Sequence, residues 1–240
     1  MNGSSGSARE PAWADVLVWL DTIDAITRGL GHALANHALA LGATIDSLDA
    51  AQPPGAELTT ALTREAERLT ETLRQLRVLP FASSHDPLPL LLPDVLSAAV
   101  QLHRSHASLG DIPVYLEGSS DAPPVLAPEA AMIHATLVTL TALKRWVAPG
   151  GVLRIDYAGT AERAEVRFVA QRDPDDDASG SDSPQLVRPT ALAAALLHEA
   201  RIEIEQRIGA QSATIRWAMP SLRATRRQLR GAAALVDTRR

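Results

Sequence analysis

Two histidines, His32 and His37, interrupt the otherwise apolar stretch GLGHALANHALAL at residues 29–41. A neutral imidazole nitrogen can serve as nucleophile, base or metal ligand, so the face of the helix each one occupies decides its chemistry. At about 100° per residue, Ile23, Leu34, Leu41, Ile45 and Leu48 fall within roughly 60° of Leu30, which defines an expected buried stripe. His37 lies about 20° from Leu30, as a packed and hydrogen-bonded histidine would, whereas His32 lies about 200° away and faces solvent. Arg28 and Asn36 stand one turn either side of His32 on that face, and Leu39 adds an apolar group about two turns on. An exposed imidazole flanked by a cation, an amide and an apolar contact has the parts of a phosphoryl acceptor. The imidazole supplies the nucleophile, the polar neighbours bind phosphoryl oxygens, and the apolar group helps dock a partner.

The elements that must present this face can be read from periodicity. Residues 1–10 are small and polar, an expected disordered tail. Apolar residues recur at helical spacing from Pro11 to about Ala51. The segment AAQPPGAE then stops that helix, and a second periodic stretch carries Leu58, Leu62, Leu69, Leu73, Leu76 and Leu79. Residues 11–80 are therefore expected to form an antiparallel helical hairpin. A hairpin buries one face of each helix, and pairing two into a dimeric four-helix bundle would cover more, so a homodimer is expected.

The run PFASSHDPLPLLLP, containing His85, reads as a linker at 81–92. Residues 93–222 then mix helix and strand. A helix at 93–109 precedes IPVYLEG and the short PPVLAP. The helix PEAAMIHATLVTLTALKRWV, with proline at its start, ends at APGG. GVLRIDYAG and RAEVRFVAQ follow, then a helix near 190–199 and the strands ARIEIEQRI and SATIRWAMP. The fold expected is α+β, with helices on one face of a largely antiparallel sheet. Arg223, Arg226, Arg227 and Arg230 could form a basic helix face for an acidic partner or membrane surface, but residues 223–240 read rather as a basic solubilising tail.

The net charge of −5 gives no broad basic surface for nucleic acid. The absence of cysteine excludes disulfides and thiolate metal sites. No run approaches the ~18 apolar residues of a membrane span, and the N-terminus lacks the order of a signal peptide, so a cytoplasmic protein without membrane insertion is expected. His103 and His106, three apart without a third ligand in sight, read as a solvated face and not as a metal site. His134 and His198 sit in helices without a partner motif, and the acidic stretch from Asp173 to Asp182 carries no assigned chemistry.

HALAN at 32–36 resembles the H-box of two-component histidine kinases, of the form H-[DE]-x-x-[NT]. By that resemblance His32 is the phospho-acceptor and Asn36 the polar residue four positions on. Ala33 replaces the usual acid, which points away from self-phosphorylation. LLHEARIEIEQRIGAQSATIRWAMP is similar to the closing helix, strand, turn and strand of the kinases' ATP-binding domain, and TLVTLTALKRWVAPGG stands where they have the N-box helix. Val138 and Ala142 occupy the positions of its asparagines. No D-x-G-x-G follows the strand ending near Gln171, and Asp177 with Gly180 echoes it only at the wrong spacing. Without glycines to admit phosphates to backbone amides, or asparagine oxygens for magnesium, a productive ATP site is not expected.

The second domain is thus expected to be a degenerate histidine-kinase-ATPase-like α/β sandwich. The chain as a whole resembles the dimeric histidine phosphotransferases of bacterial phosphorelays, the cell-cycle type with a degenerate kinase domain. The resemblance implies relay of a phosphoryl group between receiver-domain aspartates through His32, without ATP. Response-regulator receivers would be the partners and would bring their own magnesium, the chain itself holding no cofactor. Arg28 would steady charge and Asn36 orient phosphoryl oxygens. The alternative is a non-catalytic pseudokinase scaffold or inhibitor that binds a kinase or response regulator.

Overall fold

The computed structural model describes residues 13–47, 55–79, 86–119, 121–147, 150–173 and 184–237. Helix α1 (Trp13–Asp46) is continuous through Gly29 and Gly31, and helix α2 (Ala56–Val78) completes the hairpin. The leucine spacing of both segments therefore reads correctly as helix. On the expected stripe of α1, Leu30 is buried and Ile23, Leu34 and Leu41 are half-buried. Ile45 departs from it, with 54% of its surface exposed. A single partner helix covers only part of a stripe this wide. Leu48 lies outside the described residues.

The second half of the chain is a five-stranded sheet with helices on one face. Strands β2 (Val114–Gly118), β4 (Val152–Gly159), β5 (Arg163–Gln171), β7 (Ser212–Pro220) and β6 (Glu203–Ile208) lie in that spatial order. Only the β2–β4 pair is parallel. Side chains alternate strictly, as a strand's period of two requires. Ala164, Val166, Phe168 and Ala170 of β5 are buried, while Arg163, Glu165, Arg167 and Val169 take the opposite face. There Arg216 of β7 bridges Glu165 and Glu205, its Nη1 lying 3.3 Å from Glu205.

Helices α3 (Leu92–Arg104), α4 (Glu129–Val147) and α5 (Pro184–Leu196) supply the covering layer. Sixteen of the nineteen residues of α4 are buried, because the helix is enclosed by other elements on nearly all sides. Pro128 precedes it. At its other end Gly150 takes φ +84°, a left-handed conformation that favours glycine, and the next amide, Gly151, returns to the Val147 carbonyl at 3.2 Å.

Helix α3 ends at Arg104, short of the expected 109, and α5 starts at Pro184 and ends at Leu196, earlier than the expected 190–199; two further stretches change type. Within the supposed linker 81–92, Leu88–Leu90 forms β1, paired antiparallel with β3 (Val125–Ala127) in the register Leu88↔Ala127. Pro89 is tolerated because β1 pairs with β3 alone, as an edge strand. Residues 223–237 are not a plain tail: helix α6 runs Leu222–Asp237. Ser221 caps it by accepting the Ala224 amide at 3.1 Å, Ala224 is buried, and Arg227 pairs with Glu162.

The hairpin and the sheet domain share one core. Ile26 and Leu30 of α1 belong to the same apolar cluster as Leu96, Leu140 and Phe168. The first half of α1 is thus a structural member of the second domain, and only the remainder projects with α2.

Candidate functional site

The site is built on the middle of α1. His32, Arg28, Asn36 and Leu39 are all exposed, as the helical arithmetic required, and Leu39 leaves 72% of its surface uncovered. The structure brings them together only in the sense of one helix face. Arg28 is not free on that face: its guanidinium pairs with Asp24 one turn back.

One turn before His32, α1 meets the loop that follows α3. The Ala107 amide donates to the Ala25 carbonyl at 3.2 Å, and a Cβ on Gly29 would overlap the Ser105 carbonyl oxygen. Further back, Arg145 of α4 pairs with Asp21, and the Trp19 indole donates to His134 Nδ1 at 2.9 Å. These contacts fix where His32 stands relative to the second domain.

His37 faces α2. Its Nδ1 lies 2.9 Å from Glu65 Oε2, with side chains 22% and 14% exposed respectively. The other carboxylate oxygen of Glu65 accepts from Arg68 at 2.6 Å. The hydrogen bond from His37, and then Arg68, hold the Glu65 carboxyl below its usual range against the opposing effect of burial. The expectation of a hydrogen-bonded His37 agrees with this geometry, but the residue is half-buried and not enclosed. Glu65 was not visible as its partner, since nothing in a spacing of 28 residues across a turn marks the pair.

The solvated reading of His103 and His106 is overturned. Both are buried, their rings stacked at 5.1 Å and 14°. His103 Nε2 lies 3.0 Å from Thr141 Oγ1, and His106 Nδ1 accepts the Leu109 amide at 3.2 Å. Burial first, and then for His103 the charge of Lys144, pushes both imidazoles below the ordinary histidine range. Lys144 itself is 1% exposed and donates to the carbonyls of Leu109 at 2.9 Å and Gly110 at 3.4 Å. Burial, followed by the nearby Arg104, lowers its pKa to about 8. The signal that could have placed His103 was present, for it continues the stripe of Leu92, Leu96 and Ala99 along α3.

Val138 and Ala142, which stand where the resemblance would put asparagines, are 0% and 5% exposed. Neither offers a side-chain oxygen to a metal or a phosphate. His198 is exposed, and Asp177 and Gly180 lie outside the described residues, as does His85. Among the described residues no group of three or more histidines and carboxylates could hold a metal ion, and no helix is long and apolar enough to cross a membrane.

No protein-family profile matches the chain, and no curated protein matches it in sequence. Solved structures do resemble it. The histidine kinase AdeS of Acinetobacter baumannii is 12% identical with a TM-score of 0.47, covering 80% of this chain and 98% of its own. A bacterial phosphotransferase is 16% identical with a TM-score of 0.41, covering 82% and 96%. The histidine kinase ThkA, solved in complex with the response regulator protein TrrA, is 10% identical with a TM-score of 0.47, covering 82% of this chain and 61% of its own. At such identities the likeness is one of fold alone.

Proposed function

We propose that this chain is a histidine phosphotransferase of a phosphorelay, passing a phosphoryl group between receiver-domain aspartates through His32 and using no ATP. The observation that carries the reading is the exposure of His32 on α1 between Arg28 and Asn36, with Leu39 uncovered on the same face. A nucleophile that must meet the aspartyl phosphate of another protein has to stand clear of its own fold, and this one does.

The chemistry asked of the chain is modest. The imidazole nitrogen attacks phosphorus in line, the acyl phosphate bond breaks, and the aspartate leaves as a carboxylate; the reverse sequence unloads the histidine. Such transfers are driven by positioning and charge neutralisation. Asn36 is the group proposed to orient phosphoryl oxygens, and Arg28, released from Asp24, to neutralise them. The magnesium would belong to the receiver.

The reading without ATP is supported by the buried Val138 and Ala142, which do not fit a nucleotide-bound metal. Pairing of two hairpins into a homodimer would cover exposed apolar side chains such as Leu17 and Leu73.

Transfer of labelled phosphate from a panel of phosphorylated receivers, comparing wild type with His32→Ala, tests the proposal. Label confined to the wild type supports it. Receivers that bind but never donate would replace it with the pseudokinase scaffold.

A further inference from the structure

Ala33 stands where the kinase resemblance would put an acid beside His32. The carboxylate-bound imidazole of α1 is the other one. Glu65 Oε2 lies 2.9 Å from His37 Nδ1; a carboxylate only accepts, so Nδ1 donates the shared proton, and in the neutral ring that leaves the lone pair on Nε2. Among the described residues Nε2 has no hydrogen-bond partner. Arg68, held by the second oxygen of Glu65 at 2.6 Å, sets a guanidinium beside the pair with 55% of its side chain exposed.

We propose that His37 is a second phosphoryl acceptor on α1, with Glu65 holding its Nδ1 proton and Arg68 neutralising the incoming group. The inference rests on the reading of α1 as a phosphoryl-accepting helix, yet it concerns a different face of that helix. A carboxylate on Nδ1 fixes the tautomer and stabilises the imidazolium as the opposite nitrogen attacks, which is the arrangement that activates histidine elsewhere. Glu65 suits the role because it stays ionised, bonded on both oxygens.

The ligand class is a phosphoryl donor with a good leaving group, either an acyl phosphate or a phosphoramidate. With phosphoramidate the step balances simply. Nε2 forms the N–P bond, the P–N bond to the leaving amine breaks with its electron pair going to ammonia, and the imidazolium then gives up its proton to that ammonia, so that ammonium and N-phosphohistidine result. Glu65 holds the Nδ1 proton through the attack and is unchanged at the end.

The experiment treats the full chain with phosphoramidate at neutral pH, follows each histidine by peptide mapping, and assigns the modified nitrogen by phosphorus NMR. His198 is the internal reference: it is exposed, and its Nδ1 lies 2.9 Å from the Ala195 carbonyl oxygen, so a neutral acceptor takes the place of the carboxylate. The expected result is label on Nε2 of His37 at least five-fold faster than on His198, despite the lower exposure of His37. His32→Ala should leave that rate unchanged, and Glu65→Gln should bring it down to that of His198 or below. If Glu65→Gln fails to fold, Arg68→Ala decides, with a three-fold slowing expected. A His37 rate no greater than that of His198 overturns the inference, as does an unchanged rate in the deciding variant. Label on His32 without label on His37 removes this inference alone and leaves the relay reading standing.

Discussion

Gly29 of α1 packs against the backbone of Ser105, so closely that any side chain at position 29 would collide with the Ser105 carbonyl. The helix that carries His32 is in this way seated directly on the loop after α3. Gly29→Ala must push the two backbones apart, and backbone has no rotamer by which to yield. A loss of about 2–4 kcal/mol in unfolding free energy is expected, at the upper end of single-site effects. Urea unfolding of the variant measures it. Gly31→Ala, with open space around it, should cost nothing and is the control.

Lys144 is the chain's only lysine, which makes its titration readable. Its pKa is lowered to about 8 in the fold. Between that value and the ordinary lysine value near 10.4 the unfolded chain binds the extra proton, so stability rises as pH rises across this window. The expected gain is about 2–3 kcal/mol from pH 8 to 10.5, as an upper bound for a lysine already bonded to two carbonyls. Denaturant midpoints across the window measure it, and Lys144→Met should flatten the slope.

His103 and His106 work in the acid direction. Their imidazoles are held below the ordinary histidine pKa by burial, so the native state keeps them neutral while the unfolded chain takes up protons as pH falls through about 6.5. Stability is therefore expected to fall between pH 7 and 5. His103→Leu should shrink that fall, although it also leaves Thr141 Oγ1 without its partner and lowers stability at neutral pH by about 1–3 kcal/mol. Thermal melts of both proteins at the two pH values separate the effects.

On the proposed function Leu39 lies on the docking face, and a substitution there leaves His32 itself in place. Leu39→Asp is expected to weaken binding of a donating receiver about ten-fold, the scale of a lost apolar contact of ~1.4 kcal/mol, while phosphoramidate still modifies His32 at the wild-type rate. Equal receiver affinity for wild type and variant would place the docking surface elsewhere.

The sequence made the hairpin, the main sheet and the exposed face of His32 legible, because each is written in local periodicity. β1 was hidden: its residues Leu88, Pro89 and Leu90 look like linker, and the strand exists only because β3, some 35 residues on, pairs with it. The α6 helix was masked by its arginines, although the capping Ser221 announced it. The Glu65 partner of His37 and the Thr141 partner of His103 are tertiary facts with no local signature. The burial of His103 is legible in the sequence after all, in its place on the apolar stripe of α3, which outweighs its polar residue type.

The seating of α1 on the second domain has a consequence for the speed and cost of recognition. A helix tethered by a mobile joint would have to give up its rotational freedom each time a partner arrived. Here the Ala25–Ala107 hydrogen bond and the Gly29–Ser105 contact surrender that freedom during folding, once. On the proposed function, a visiting receiver would meet a preorganised surface and lose correspondingly less entropy on association, so that small changes in its contacts would translate into changes of residence time.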